Sequence, residues 1–140
     1  MGAKVFIASA DGSDIGEARE VTDGDCPTWS PDGKRIACCE SIVGKNPVIK
    51  VTALATKESV VLGNVWYRGE WSADGKTLVC NGFFNDGQPR NGMVRLSTEA
   101  ARESEPLFPG FREASSPSQS VGGKVVVFVV EPAKLRPIGK

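Results

Sequence analysis

The sequence predicts an all-β protein built from a repeated unit of antiparallel strands. Segment 28–38 reads Thr-Trp-Ser-Pro-Asp-Gly-Lys-Arg-Ile-Ala-Cys, and segment 70–80 repeats it as Glu-Trp-Ser-Ala-Asp-Gly-Lys-Thr-Leu-Val-Cys. A third copy at 118–128 keeps only the Gly-Lys step and an apolar run, so this step begins at positions 33, 75 and 123. The spacings between these steps are 42 and 48 residues. Repeats at such spacings indicate one supersecondary unit that packs against neighbouring copies of itself.

Each copy of the repeat is predicted to be a hairpin. The Pro-Asp-Gly segment 31–33 is typical of a tight turn, because Pro fixes φ, Asp bonds back to nearby N–H groups and Gly accepts a positive φ. The β-branched and apolar segment 35–39 that follows is typical of a buried strand. A large aromatic side chain precedes each turn, and we expect Trp29 and Trp71 to be buried at equivalent positions.

Taken in order, the chain divides into two partial and two complete four-stranded units. We expect outer strands within 4–24, a complete sheet at 25–63, a second at 64–110, inner strands within 111–130 and an irregular tail at 131–140. The expected strands are 4–9 and 18–22, then 27–30, 35–40, 48–54 and 59–63, then 66–72, 77–81, 93–97 and 106–108, and last 115–120 and 124–130. No segment has a convincing helix pattern.

The motif Trp-Ser-Pro-Asp-Gly-Lys-Arg-Ile-Ala resembles the TolB-type β-propeller repeat, in which it joins the innermost strand of a blade to the second. Segment 5–13, followed by Glu-Val-Thr-Asp-Gly at 20–24, resembles the two outer strands of the same repeat. The resemblance covers roughly residues 3–130. It implies four-stranded antiparallel blades and says little about function, because such propellers serve as scaffolds, binding domains and enzyme appendages.

The order of two, four, four and two strands amounts to three blades per chain, with the two chain ends supplying the outer and inner halves of one blade. Propellers have about 4–8 blades, and three would leave open edges and uncovered faces. Two explanations stay open: a homodimer that closes a six-bladed ring, or a piece of a longer propeller. We favour the homodimer because the strand count is whole.

The composition excludes several classes of partner. Lys and Arg number 17, Asp and Glu number 17, and the formal net charge is +0, so we expect no nucleic acid and no anionic membrane surface as partner. No apolar stretch approaches the roughly 20 residues of a membrane span. The first residues lack the apolar region of a signal peptide. A cytoplasmic location is therefore slightly favoured, and a periplasmic one is open if a leader was removed.

Of the four cysteines, Cys38 and Cys80 are predicted to be structural thiols. Alignment on the Gly-Lys steps makes Cys38, Cys80 and Phe128 equivalent, which indicates small core hydrophobes rather than metal ligands. The sequence has no paired Cys spacing and no His, so no metal site is expected. Free thiols favour a reducing compartment.

No catalytic constellation and no cofactor site is predicted. The absence of His excludes Ser-His-Asp and Cys-His arrangements, and no Gly-rich phosphate loop links a strand to a helix. The oxygen-rich segments 11–14 and 85–87 lack the calcium-loop pattern and are interpreted as turns. Asp32 and Asp74 are interpreted as turn-forming residues rather than acids in a pocket.

Candidate binding residues lie in the loops that share one end of the blades. These are the predicted links 23–26, 64–68 and 110–113 and the predicted loops 41–47 and 82–92. Aromatic and Arg side chains are the usual anchors of recognition surfaces, and these loops carry Tyr67, Arg68, Phe84, Arg90 and Arg112. The alternative is that Phe83 continues its strand into the core and that Arg90 is solvated.

Three functions remain open at this point. The favoured one is a non-enzymatic binding or scaffold module that takes a protein, peptide or glycan on its loop end and central channel. The second is an accessory propeller domain of a hydrolase or lyase whose catalytic part lies elsewhere. The third is a remnant or autonomous half-propeller that only assembles.

Overall fold

A computed structural model describes residues 2–13, 15–64, 69–84, 90–99, 105–107, 115–119 and 126–129. Within these ranges the chain forms twelve strands and one short 3-10 turn at Ile15–Glu17. The strands are β1 (Lys4–Ile7), β2 (Arg19–Asp23), β3 (Asp25–Trp29), β4 (Arg35–Glu40), β5 (Val48–Ala53), β6 (Ser59–Asn64), β7 (Glu70–Trp71), β8 (Thr77–Phe84), β9 (Arg90–Ser97), β10 (Glu105–Leu107), β11 (Ser115–Gln119) and β12 (Val126–Val129).

The strands form four antiparallel groups, each made of strands that are consecutive in the sequence. Strands β3 to β6 form sheet 1 and strands β7 to β10 form sheet 2, each a four-stranded meander. Strands β1 and β2 form the N-terminal pair, and β11 and β12 form the C-terminal pair. The order of two, four, four and two strands agrees with the expectation from the sequence.

The repeated Ser-x-Asp-Gly-Lys segment folds into the same turn in both sheets. In sheet 1 the Ser30 hydroxyl donates to Asp32 Oδ1 at 2.6 Å and accepts from the amide of Arg35 at 2.9 Å, while the amide of Lys34 donates to Asp32 Oδ1 at 3.0 Å. Gly33 adopts a φ of 69°, which favours glycine. The predicted turn is confirmed, and Asp32 serves it as an acceptor.

Sheet 2 repeats these contacts through Ser72 and Asp74, with a hydroxyl–carboxylate distance of 2.6 Å. The hydrogen bond from the serine hydroxyl is the main cause that lowers the pKa of Asp32, and the same holds for Asp74. The bonds from the backbone amides add to it, because they also favour the charged carboxylate. Both aspartates are therefore ionised acceptors at neutral pH.

Apolar side chains alternate between the two faces of sheet 1, so strand β4 is buried on both sides. Ala37 belongs to the cluster between sheets 1 and 2, while Ile36 and Cys38 pack with Val5 of the N-terminal pair. The cluster between the sheets also contains Ile49, Val51, Leu62, Trp71, Leu78, Cys80, Val94 and Leu96. Sheet 1 is thus the middle layer between sheet 2 and the N-terminal pair.

A set of polar contacts beside the two repeated turns joins sheet 1 to sheet 2. The Arg35 guanidinium lies 4.9 Å from the centre of the Trp71 ring and donates through Nη2 to the carbonyl of Gly75 at 2.8 Å. Trp71 in turn donates from Nε1 to the carbonyl of Thr28 at 3.3 Å. Each sheet therefore contributes a donor to the other, and the cation–π contact lies between them.

The expectation that both repeat tryptophans are buried is right for Trp71 and wrong for Trp29. Trp71 is 9% exposed, whereas Trp29 is 53% exposed. The physical reason is that Trp71 lies against the two inner strands of sheet 1. Trp29 faces the N-terminal pair, which among the described residues has two strands and no inner ones beside them.

The hairpin of sheet 2 is longer than the sequence indicates. Strand pairing of β8 with β9 continues through Gly82 with Gly92 to Phe84 with Arg90. The prediction of a loop over 82–92 is therefore wrong at both ends, because 82–84 and 90–92 belong to strands β8 and β9. The remaining part of the predicted loop, 85–89, lies outside the described residues. Glycine usually weakens the interior of a strand, yet Gly82 and Gly92 lie opposite each other in this ladder.

We expect Trp71→Ala to lower the free energy of unfolding by about 3–5 kcal/mol, because it leaves a cavity between the sheets and removes the ring under Arg35. Urea denaturation at one fixed protein concentration measures the change. Val43→Ala is the control, since that side chain is fully exposed, and we expect a change within about 0.5 kcal/mol. Equal small losses for both variants would contradict the sheet packing described here.

Candidate functional site

The structure describes two of the five binding residues predicted from the sequence, and of these only the backbone. Phe84 and Arg90 pair with each other at the end of the β8–β9 ladder, so they are neighbours at the tip of this hairpin. Tyr67, Arg68 and Arg112 lie outside the described residues. The predicted grouping of the five therefore stays a prediction.

The described part of the loop end is formed by the start of β1, the β2–β3 link and the β4–β5 turn. These segments meet because β1 contacts β3 of sheet 1, and because the end of β4 pairs with the start of β3. Gly24 makes the link possible: its φ is 136°, and a Cβ on it would lie 2.7 Å from Cys38 Sγ. Three chain segments thus converge on one point of the surface.

A cavity of about 550 Å³ opens at this point. Its lining comes from segments 2–4, 23–25 and 39–43. A second cavity, of about 610 Å³, lies beside the same β4–β5 turn and is lined by Ile42, Gly44, Lys45, Asn46 and Val48. Ile42 therefore lines both cavities. Ile42 and Val43 are together called the apolar ridge.

The β4–β5 turn presents two apolar side chains to solvent. Ile42 is partly exposed and Val43 is fully exposed. The amide of Lys45 donates to the carbonyl of Ile42 at 3.0 Å, and Gly44 has a φ of 76°, so the turn has a defined hydrogen bond. Adjacent exposed β-branched residues beside a cavity are a typical apolar contact point of a recognition surface.

The first cavity carries an excess of negative charge. Its lining includes the carboxylates of Asp23, Asp25 and Glu40 and the ammonium of Lys4. Lys4 lies 2.6 Å from Glu20 and 3.7 Å from Asp23, and the hydrogen bond to Glu20 is the main cause that raises the pKa of Lys4. The chemistry of this lining suits a cationic group with an apolar neighbour.

Two of the lining groups are already constrained by the fold, one by an ion pair and one by burial. Glu40 pairs with the nearly buried Lys50 at 3.1 Å across the β4–β5 ladder. Burial raises the pKa of the Cys39 thiol to about 11, so this thiol is protonated and a poor nucleophile at neutral pH. The cavity therefore offers charge and shape, and its thiol offers no nucleophilic chemistry at neutral pH.

Sequence reasoning placed the loop 41–47 on this face but missed Ile42 and Val43. The sequence does hold a signal for this pair: two adjacent β-branched residues lie in a predicted loop, beyond the last apolar residue of strand β4. The sequence prediction rests on aromatic and Arg side chains, and an aliphatic pair lies outside that criterion. The aliphatic pair is the part of the predicted loop end whose exposure the structure describes.

The described residues hold no group of three or more side chains suited to a metal ion. In the same part of the chain no helix is long and apolar enough to cross a membrane. The four cysteines are free thiols, of which Cys38, Cys39 and Cys80 are buried and Cys26 is exposed. The prediction that Cys38 and Cys80 are reduced core residues is confirmed.

Solved structures with the same arrangement of strands are β-propeller proteins. TolB from Acinetobacter baumannii matches with a TM-score of 0.68 at 20% sequence identity, over 93% of this chain and 35% of that chain. A putative TolB from Agrobacterium tumefaciens matches with a TM-score of 0.61 at 23% identity, over 79% of this chain and 40% of that one. An acylaminoacyl peptidase from Pyrococcus horikoshii matches with a TM-score of 0.52 at 20% identity, over 75% and 23%.

These likenesses show the fold: the chain is all-β, with antiparallel sheets arranged as in a TolB-type β-propeller. The chain spans less than half the length of each of these three proteins. No family model matches the sequence, and no curated protein matches it. The resemblance inferred from the repeated motif is therefore confirmed at the level of fold.

We expect one of the four thiols, Cys26, to react rapidly with a soluble disulfide reagent in the native protein. The other three react at the rate of local opening, because burial raises their pKa values and blocks access. Stopped-flow absorbance measures the two phases. Cys26→Ser should remove the fast phase and leave the slow phase unchanged. Two or more rapidly reacting thiols per native chain would contradict the burial of Cys38, Cys39 and Cys80.

Proposed function

We propose that this chain is a non-enzymatic binding module of β-propeller type, three blades long, and that two copies close a six-bladed ring. Its ligand is a peptide or protein segment held at the loop end. The observation that carries this proposal is the cavity next to the exposed pair Ile42 and Val43. A fully exposed valine beside a cleft gains free energy when a ligand covers it.

The charge of the cleft narrows the class of ligand. Lys50 pairs with Glu40 and Lys4 lies beside Asp23, so three carboxylates face two ammonium groups, and the remaining negative charge favours a segment with a Lys or Arg side chain. The apolar ridge favours an aliphatic or aromatic residue next to that cation. A basic residue flanked by an apolar one therefore fits this surface better than an acidic or a fully polar ligand.

The ring is supported by the two incomplete strand pairs. Among the described residues, the N-terminal pair covers sheet 1 and the C-terminal pair contacts sheet 2, so each end of the stack has a sheet of two strands. A strand edge left open is a site of uncontrolled pairing. Twofold closure, in which each copy completes the partial sheet of the other, removes both edges with identical contacts.

A second candidate function is an accessory propeller domain of a larger hydrolase. The likeness to part of an acylaminoacyl peptidase favours it, and in that case the chain is one section of a longer propeller. The solution mass tests the ring directly, because a chain that stays a monomer cannot close one.

We expect the purified chain to have a solution mass of twice 14.9 kDa at micromolar concentration, measured by sedimentation equilibrium. Removal of residues 2–23 should cause aggregation, because it uncovers the apolar face of sheet 1 that carries Ile36 and Cys38. A soluble, monodisperse monomer of the full chain would contradict the ring and favour the accessory-domain candidate.

We expect the chain to bind short peptides that combine a basic with an apolar residue, and not acidic peptides of the same length. Fluorescence polarisation on a synthetic peptide set measures this. The double variant Ile42→Ser/Val43→Ser should raise the dissociation constant about tenfold or more, because it removes the apolar ridge.

The matched control is Val60→Ser/Val61→Ser, an adjacent and similarly apolar pair that is half-exposed on the outer strand β6. This control should leave the dissociation constant within about twofold of the wild-type value, because substitutions at exposed positions outside a binding site have small effects. Equal loss in both double variants, or a preference for acidic peptides, would contradict the proposed surface.

A further inference from the structure

We infer that strand β12 of one copy adds to strand β1 of a second copy in one antiparallel register, with Val127 opposite Ile7 and Val129 opposite Val5. The same contact places β11 of the first copy over Trp29 of the second. This inference rests on the ring proposed above, and it adds the register of the seam and the side chain that anchors it.

The C-terminal pair has the backbone pairing of the two inner strands of a complete sheet. The pairs nearest the turn are Trp29 with Ile36 in sheet 1, Trp71 with Leu78 in sheet 2 and Gln119 with Val126 in the C-terminal pair. At the far end Asp25 pairs with Cys39, and Ser115 pairs with Val129, each after the same shift in register. Position 127 thus corresponds to position 37.

The N-terminal pair has the backbone pairing of the two outer strands. In sheet 1 the register shifts between Ile49 and Lys50, and in the N-terminal pair it shifts between Val5 and Phe6. The residues opposite are Gly63 and Val61 in sheet 1, and Thr22 and Glu20 in the N-terminal pair. Val5 therefore corresponds to Ile49, and both are buried.

The register of the seam follows from the two middle strands of the complete sheets. Ala37 lies opposite Val51 in sheet 1, and Val79 lies opposite Arg95 at the equivalent position of sheet 2. Because both complete sheets use this register, the same offset applied to the two partial sheets sets position 127 against position 7. A slip of one residue would turn every side chain of β12 to the opposite face.

The exposed tryptophan marks the place of the absent inner strands. Trp71 donates to the carbonyl of Thr28 on the inner strand of the preceding sheet. Thr28 pairs with Ala37 as Ser118 pairs with Val127, so Ser118 is the equivalent acceptor in the C-terminal pair. In the ring, Trp29 Nε1 of one copy donates to the carbonyl of Ser118 of the other copy.

Phe6 gives independent support. It is 55% exposed, yet it corresponds to Lys50 in sheet 1 and to Val94 in sheet 2, both of which are buried against the preceding layer. Two large exposed hydrophobic residues thus occupy positions that a neighbouring sheet covers in the complete repeats. In the proposed ring, the C-terminal pair of a second copy would cover Trp29, and sheet 2 of that copy, on which the pair lies, would cover Phe6.

Cysteine cross-linking tests the register. In a Cys26→Ser background, we expect the double variants Ile7→Cys/Val127→Cys and Phe6→Cys/Phe128→Cys to be oxidised by diamide to a dimer with a mass of twice 14.9 kDa. Two adjacent pairs are used because opposed positions alternate between closely and widely spaced types, and one of them suits a disulfide. The slipped control Ile7→Cys/Val126→Cys should cross-link at least tenfold less.

Comparable yields from the matched and slipped variants overturn the register. A bridge within one chain, or a ladder of higher polymers, overturns the twofold closure. A wild-type mass of one chain overturns the ring itself. A wild-type dimer in which neither matched pair cross-links overturns the seam and leaves the ring standing.

Substitution of Trp29 tests the anchor. We expect Trp29→Ala to raise the dissociation constant of the dimer by about thirtyfold or more, as for a central interface aromatic, without altering the circular dichroism of the chain. Trp29→Phe keeps the ring but loses the N–H and should give an intermediate rise. Val60→Ala, with similar exposure on β6, is the control. A Trp29→Ala dissociation constant within twofold of wild type overturns the proposed contact.

Discussion

Apolar side chains on both faces of sheet 1 impose the constraint on which the rest of the structure depends. Ile36, Ala37 and Cys38 are consecutive and all buried, so the sheet is stable only when one layer covers each side. Sheet 2 and the N-terminal pair provide these layers. Units of this kind therefore form a stack, in which sheet 1 is covered on both faces.

The contacts between layers follow from the local turn. The hydrogen bonds of Ser30 and Asp32 fix the start of β4, and Arg35 is the first residue of that strand. From this position its guanidinium reaches the Trp71 ring and the carbonyl of Gly75 in the equivalent turn of sheet 2. The short motif therefore specifies a hairpin and also supplies the partners that align neighbouring hairpins.

Much of the fold was predictable because its signals are local. The Asp-Gly turn, the buried strand after it and the tryptophan before it all lie within one short segment, and the structure confirms the turn in both complete copies. The exposure of Trp29 was not predictable from its segment. It depends on which strands lie beside it, and the motif around Trp29 is nearly identical to that around Trp71.

The candidate site was less predictable than the fold. Ile42 and Val43 differ from core residues only in lying past the end of β4. That strand ends where Glu40 pairs with Val48, so its end depends on a distant segment and not on the local sequence. The cavity is formed by three segments that are distant in the sequence. Such a site has no contiguous motif, whereas the repeat does.

The meander order of the sheets also bears on the route by which the chain folds. Every strand of sheets 1 and 2 pairs with its neighbour in the sequence, and two of the hairpins begin at turns with their own hydrogen bonds. Contacts of this kind close short loops, so their entropic cost is small and they form early. We therefore expect hairpins to form within each sheet before the sheets dock on one another.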